Sequence, residues 1–102
     1  MIITNLIVTA YCACRVCCGP QANGLTASGA KPQQGITVAG PRRYPLGSKV
    51  IVKGHTYLLQ DRLAKRYDNR IDIYFNNHKD AAQFGKQFLA VTIITTKPKQ
   101  KP

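Results

Sequence analysis

Four aspartates, at positions 61, 68, 72 and 80, are the only carboxylate side chains in the chain; glutamate is absent. Acid–base chemistry by a carboxyl group would therefore fall to one of these. Asp72 stands out because it interrupts Arg70-Ile71-Asp72-Ile73-Tyr74-Phe75, a run that otherwise reads as a strand. Strands favour β-branched and aromatic residues and disfavour aspartate. Alternation places Ile71, Ile73 and Phe75 on one face and Asp72 with Tyr74 on the other. Asp72 is thus the candidate proton donor, set against the plainer role of a surface ion pair with Arg70 or Arg62. Asp61 follows Tyr57-Leu58-Leu59-Gln60 and, taken alone, reads as a turn-starting aspartate. Folded beside Asp72, it would supply the like charge that raises a neighbouring carboxyl's pKa. Asp68 with Asn69 reads as a turn, and Asp80 as the acid in a helix's first turn.

Cys12, Cys14, Cys17 and Cys18 form the second reactive group, spaced C-x-C-x-x-C-C. Thiolates suit tetrahedral zinc. Structural zinc sites, however, draw their ligands from separated knuckles, and adjacent Cys17 and Cys18 are awkward for one ion. Disulfides suit an exported protein, and four cysteines allow three pairings. Free thiols packed beside the first strand are the remaining choice. The reading adopted is structural, disulfide ahead of metal, with no cofactor required.

The elements that must position these groups are short. Residues 2–11 are apolar and β-rich and read as a strand. Residues 19–35, with their glycines and prolines, read as an irregular connection. Residues 36–39 and 48–53 read as strands, and Gly54-His55 as a tight reversal into a strand over 55–60. A loop over 62–69 leads to the Asp72 strand. Asn77 is a plausible N-cap for a helix over 78–86, with Ala81, Ala82 and Phe84 inward. Residues 89–95 close the domain. No internal repeat is visible. Short strands and one short helix predict a mainly β fold, a small, mostly antiparallel barrel. Residues 1–95 form the domain and residues 96–102 a flexible basic tail.

At 102 residues the chain is one domain, and its 44% hydrophobic content argues for a folded core rather than disorder. No run approaches the length of a membrane-spanning helix. The first ten residues lack a basic n-region and read as a strand, not a signal peptide. Delivery by a phage, or a leader removed from the chain, is the corresponding expectation for a protein that acts outside the cell. A net charge of +11 favours polyanionic partners. Nucleic acid ranks last among them, because no recognisable binding motif accompanies the charge.

The residues also carry a family likeness. Val8-Thr9-Ala10-Tyr11 running into the cysteine cluster and Gly19, then Gly24-Leu25-Thr26-Ala27-Ser28-Gly29, resemble the opening of three-aspartate (3D) domains. Val38-Ala39-Gly40-Pro41, Pro45-Leu46-Gly47-Ser48, Asp61, Asn69 to Phe75 and His78 to Gly85 continue the match in order, over residues 8–93. The family is similar to the catalytic domain of membrane-bound lytic transglycosylase A and to stationary-phase survival muralytic proteins. The resemblance implies a double-psi β-barrel and cleavage of peptidoglycan glycan strands. Its second and third aspartates map onto Asp61 and Asp72, the third being the expected acid. Gly40 stands where the first is expected, and Arg62-Leu63-Ala64-Lys65-Arg66-Tyr67 replaces the glycine-rich stretch that usually follows the second.

Ordinary glycoside hydrolysis needs two carboxyl groups flanking the bond. A lytic transglycosylase needs one acid, which protonates the glycosidic oxygen and then takes the proton of the muramic acid 6-hydroxyl. A chain so poor in acids fits the second scheme better. Asp72 and Asp61 are the catalytic candidates. Thr26, Ser28, Tyr11, Tyr74 and His78 are candidates for holding the sugar. Local roles compete for each: hydroxyls in glycine-rich loops usually satisfy backbone, and strand aromatics usually pack. The partners implied are glycan strands and anionic wall polymers, met by a monomer at the bacterial cell wall. The alternative is a non-catalytic wall-binding or phage virion protein on the same fold.

Overall fold

The computed structural model describes residues 1–12, 26–63 and 69–95. The strands are β1 (Ile2–Tyr11), β2 (Thr37–Gly40), β3 (Lys49–Val52), β4 (His55–Arg62), β5 (Arg70–Tyr74) and β6 (Gln87–Ile94), with helix α1 (His78–Phe84) between the last two. They close into one barrel in the order β1-β5-β2-β4-β3-β6. The β1–β5 and β2–β4 pairs are parallel; the four other pairs are antiparallel. Exchanging β1 with β4, β2 with β5 and β3 with β6 leaves this circular order unchanged. Among the described residues, the mainly β, double-psi barrel with one short helix expected from the sequence is the fold observed. Its internal two-fold is a property of pairing, with no sequence repeat behind it.

Alternation builds the core. Leu6 and Val8 of β1, Val38 of β2, Val50 and Val52 of β3, Leu59 of β4, Ile71 and Ile73 of β5, and Val91 and Ile93 of β6 all point inward and are buried. Each such side chain stabilises the fold by about 1.5–3 kcal/mol relative to an exposed one. The β-branched residues that dominate this set also suit the pleated backbone. Phe75 and Phe84 pack at the barrel's edge with ring centroids 5.8 Å apart.

Sequence-based boundaries shift modestly. Helix α1 is capped by Asn77, whose side chain accepts from the Asp80 amide at 2.9 Å, and it ends at Phe84. Gly85 stops it with φ of 70°. Ala82, expected inward, is exposed: Ala81 and Phe84 face the barrel, and so short a helix buries no wider stripe.

The β3–β4 hairpin turns on Lys53 and Gly54, both with positive φ (50° and 77°). Two such residues make the turn whose twist matches the strands, and glycine occupies the second position without a Cβ penalty. A Cβ at Gly54 would meet nothing within 4 Å, so only backbone strain separates the variants. Gly54→Ala is expected to cost about 1–2 kcal/mol, measured as a lower urea midpoint with unchanged slope.

Candidate active site

One cross-strand row organises the site. Thr9 of β1 pairs with Asp72 of β5, Asp72 pairs with Ala39 of β2, and Ala39 pairs with Asp61 of β4. Directly paired residues share a face, so these side chains line the outer face of the barrel, opposite Ile71 and Ile73. Under the internal two-fold Thr9 corresponds to Asp61 and Asp72 to Ala39. The two carboxylates, on consecutive strands β4 and β5, are therefore not related to each other by the two-fold. Two strand spacings put their Cα atoms about 10 Å apart.

Asp61 reaches this row because β4 carries a bulge. Val38 pairs with Leu59 but the next residue, Ala39, pairs with Asp61, so Gln60 is the extra residue. Without it, Asp61 would share the inward face of Leu59. Bulges commonly re-aim a side chain in this way. Asp61 thus lies within a strand rather than starting a turn as its local sequence suggests.

The environments of the two carboxyls differ. Burial pushes Asp72 up from the ordinary carboxyl value to about 6. The hydrogen bond from Thr9 Oγ1 (3.0 Å) and the charge of Arg70 pull it down, while the negative charge of Asp61 adds a smaller push upward. Asp61 instead accepts from the amides of Ala27 and Arg62, both at 2.9 Å on Oδ1, and from the Tyr11 hydroxyl at 3.3 Å on Oδ2. A carboxyl that holds its proton up to about pH 6 thus stands beside one bound by N–H and O–H donors. Such a divergence of environments separates an acid from a charge-bearing partner.

The remaining candidates fall around this row. Thr26 is buried, gives its hydroxyl proton to the Ala30 carbonyl (2.9 Å) and shares a hydrogen bond with Ser28 Oγ (2.8 Å). The Thr26-to-Gly29 turn is held against the bulge by the Ala27–Asp61 bond and by the Ser28 amide on the Gln60 carbonyl at 3.0 Å. The two hydroxyls thus shape the wall beside Asp61. Tyr74 is buried, and its ring meets that of Tyr11 edge-on, with centroids 5.4 Å apart. Tyr11 is half-buried and reaches Asp61. His78 opens α1 with its Nδ1 3.8 Å from the sulfur of buried Cys12. Cys14, Cys17 and Cys18 lie outside the described residues, as do Asp68 and the tail over 96–102; among the described residues no three metal-ligating side chains come together.

Sequence reasoning missed three contributors. Thr9 is one of several strand threonines, and only the β1–β5 register shows it as the donor to Asp72. Arg62, considered as an ion partner of Asp72, instead donates from Nη1 to the carbonyls of Pro41 (2.8 Å) and Tyr44 (2.7 Å). It thereby ties the turn after β2 to the end of β4. Gln60 is the third: its side-chain oxygen accepts from Thr37 Oγ1, fixing the bulge.

Among the described residues, no helix is long and apolar enough to cross a membrane. No protein-family model matches the chain. Over 88 residues, 84% of its length, it is 32% identical to the "Putative cell wall shaping protein YabE" of Bacillus subtilis (strain 168), and it spans 21% of that protein.

Proposed function

We propose that this domain cleaves peptidoglycan glycan strands as a lytic transglycosylase, breaking the MurNAc–GlcNAc bond with Asp72 as acid and then base. The observation that carries the reading is the outward-facing row in which Asp72, raised to about 6, sits across Ala39 from Asp61. The protonated Asp72 gives its proton to the glycosidic oxygen as the bond from that oxygen to the anomeric carbon breaks. The resulting carboxylate takes the proton of the muramic 6-hydroxyl, whose oxygen bonds to the same carbon. A 1,6-anhydro ring forms, no water is consumed and Asp72 ends protonated. Asp61 supplies negative charge near the developing oxocarbenium ion and holds the 26–29 turn in place. Thr9 orients the Asp72 carboxyl. Tyr11, Tyr74, Thr26, Ser28 and His78 shape the surrounding wall, and the reaction needs no cofactor. The cell-wall relative supports the substrate class, and the excess of basic side chains suits a wall rich in anionic polymers. On this reading the protein acts at the bacterial cell wall.

Purified protein incubated with isolated peptidoglycan is expected to release muropeptides ending in 1,6-anhydromuramic acid, read by mass spectrometry. Reducing-end products would mean hydrolysis, with Asp61 activating water. A second reading, a non-catalytic wall-binding or virion protein, is favoured by Gly40, which leaves one position of the three-aspartate pattern without a carboxyl. It predicts protein that sediments with the wall and releases nothing.

A further inference from the structure

Strand β1 outruns one of its neighbours. It pairs with β5 only from Ile7 onward, whereas β6 follows it from Ile2 to Val8. On the β5 side, the stretch before Ile7 is flanked by Asn69 and by Arg43 from the turn after β2. Between them lies a cleft of about 330 Å³, lined among others by Asn5, Ile7, Arg43, Asn69 and Phe88. That volume lies at the lower end of the range for small-ligand sites, roughly 300–1,000 Å³.

The cleft opens on the face that carries Asp72. Asn5, Ile7 and Thr9 alternate onto one side of β1. Phe88 pairs with Ile7, and Ile7 pairs with Arg70, a row parallel to Thr9–Asp72 and two residues, about 7 Å, along the strands. Phe88 is 69% exposed, an arrangement that forgoes the stabilisation a buried ring would give.

We propose that this cleft is a saccharide subsite beside the proton donor, and that it takes an N-acetylated amino sugar bearing a carboxylate. The proposal rests on the glycan-cleaving reading above. The exposed face of Phe88 suits the apolar face of a pyranose. The amides of Asn5 and Asn69 each carry both donors and an acceptor, matching an acetamido group. Arg43, exposed and stacked 4.9 Å over the Tyr44 ring, sets a guanidinium at the rim. A guanidinium meets a carboxylate in charge-assisted hydrogen bonds, and the chain's charge of +11 draws anionic ligands to it. A neutral amino-sugar polymer gains nothing from that group.

The test uses the full chain carrying Asp72→Asn, so that ligand is bound but not turned over. Its calorimetric affinity is measured for denuded glycan strands, whose lactyl carboxylates are free, and for neutral chitin oligomers. Adding Phe88→Ala is expected to weaken both by about threefold to tenfold. Adding Arg43→Gln is expected to weaken only the denuded strands, by a similar factor that vanishes at high salt. Both positions are exposed, so unchanged urea midpoints check the fold. Phe88-independent affinities, equal losses for both ligands on Arg43→Gln, or no binding would overturn the subsite. If the wild-type protein releases no cleavage products yet shows Phe88-dependent binding, the lytic activity is overturned and the subsite stands. Cleavage with Phe88-independent binding overturns the subsite alone.

Discussion

Asp72→Asn is expected to reduce release of anhydromuropeptides by a hundredfold to ten-thousandfold, about the range over which a positioned general acid contributes. The substitution keeps the shape of the side chain and an oxygen for the Thr9 hydroxyl to donate to, so the barrel should remain intact. What is lost is the proton. In the wild-type protein the rate is expected to fall as pH rises through about 6, where burial places the titration of Asp72, because only the protonated form can donate. The same burial has a consequence for stability. In the unfolded chain this carboxyl titrates at its ordinary value of 3.8, and in the folded one at about 6. Between those values the native state holds the proton more tightly, so this group's contribution to stability declines as pH rises and is constant above the upper one. Asparagine has no such titration. Relative to wild type, the variant should match below pH 3.8 and gain stability across the window, reaching at most about 3 kcal/mol above pH 6. Urea unfolding at pH 4 and pH 7.5, alongside product analysis, checks both halves. A dead enzyme with no gain at pH 7.5 would mean that Asp72 is not held up by burial; a fully active one would end its assignment as the acid.

Much of the barrel was legible because alternation is a strong signal where one face is buried. Ile71, Ile73, Val50, Val52, Leu6 and Val8 each declare an inward face, and an aspartate on the opposite face of a buried strand is conspicuous. The proximity of Asp61 was not legible. Strict alternation carries Leu59 and Asp61 to the same side, and only the extra residue Gln60, visible through the β2–β4 register, turns the carboxyl outward. Thr9 was hidden for a related reason: a threonine in a strand is ordinary until a parallel partner 63 positions away sets an aspartate beside it. Local sequence also misjudged Arg62, since basic residues near an acid suggest an ion pair. Here the guanidinium instead satisfies the backbone carbonyls of Pro41 and Tyr44 at the turn after β2. Non-local pairing decides each case.

Gly40→Asp, which would put a carboxyl where the resemblance to three-aspartate domains leads one to expect it, is expected to destabilise the barrel by about 3 kcal/mol or more. Gly40 does not need its glycine for backbone reasons, because its φ is not positive. Space is the obstacle. A Cβ there would lie 2.8 Å from Leu59 Cδ1 and 3.0 Å from Ile71 Cδ1, and both side chains are fully buried. Overpacking a core typically costs about 1–3 kcal/mol, and a carboxyl among methyl groups without a hydrogen bond adds about 1–3 kcal/mol more. For a domain of this size the loss should lower the Tm by 10 °C or more, roughly 4–8 °C for each kcal/mol. Leu59→Ala alone should also destabilise, by about 2–5 kcal/mol, through the cavity it leaves. In the double variant the new side chain enters that cavity, so the two costs should fall short of their sum by 1 kcal/mol or more. Urea unfolding of the four proteins completes the cycle. Strict additivity would show that Leu59 does not fill the place of a side chain at position 40. A clear coupling would mean that Gly40 and Leu59 form one packing unit, with the leucine occupying space that a side chain at position 40 would need. A side chain at position 40 would then point into the core, on the face opposite the row Thr9–Asp72–Ala39–Asp61, and burial rather than a third like charge becomes the main cause of the raised Asp72 pKa.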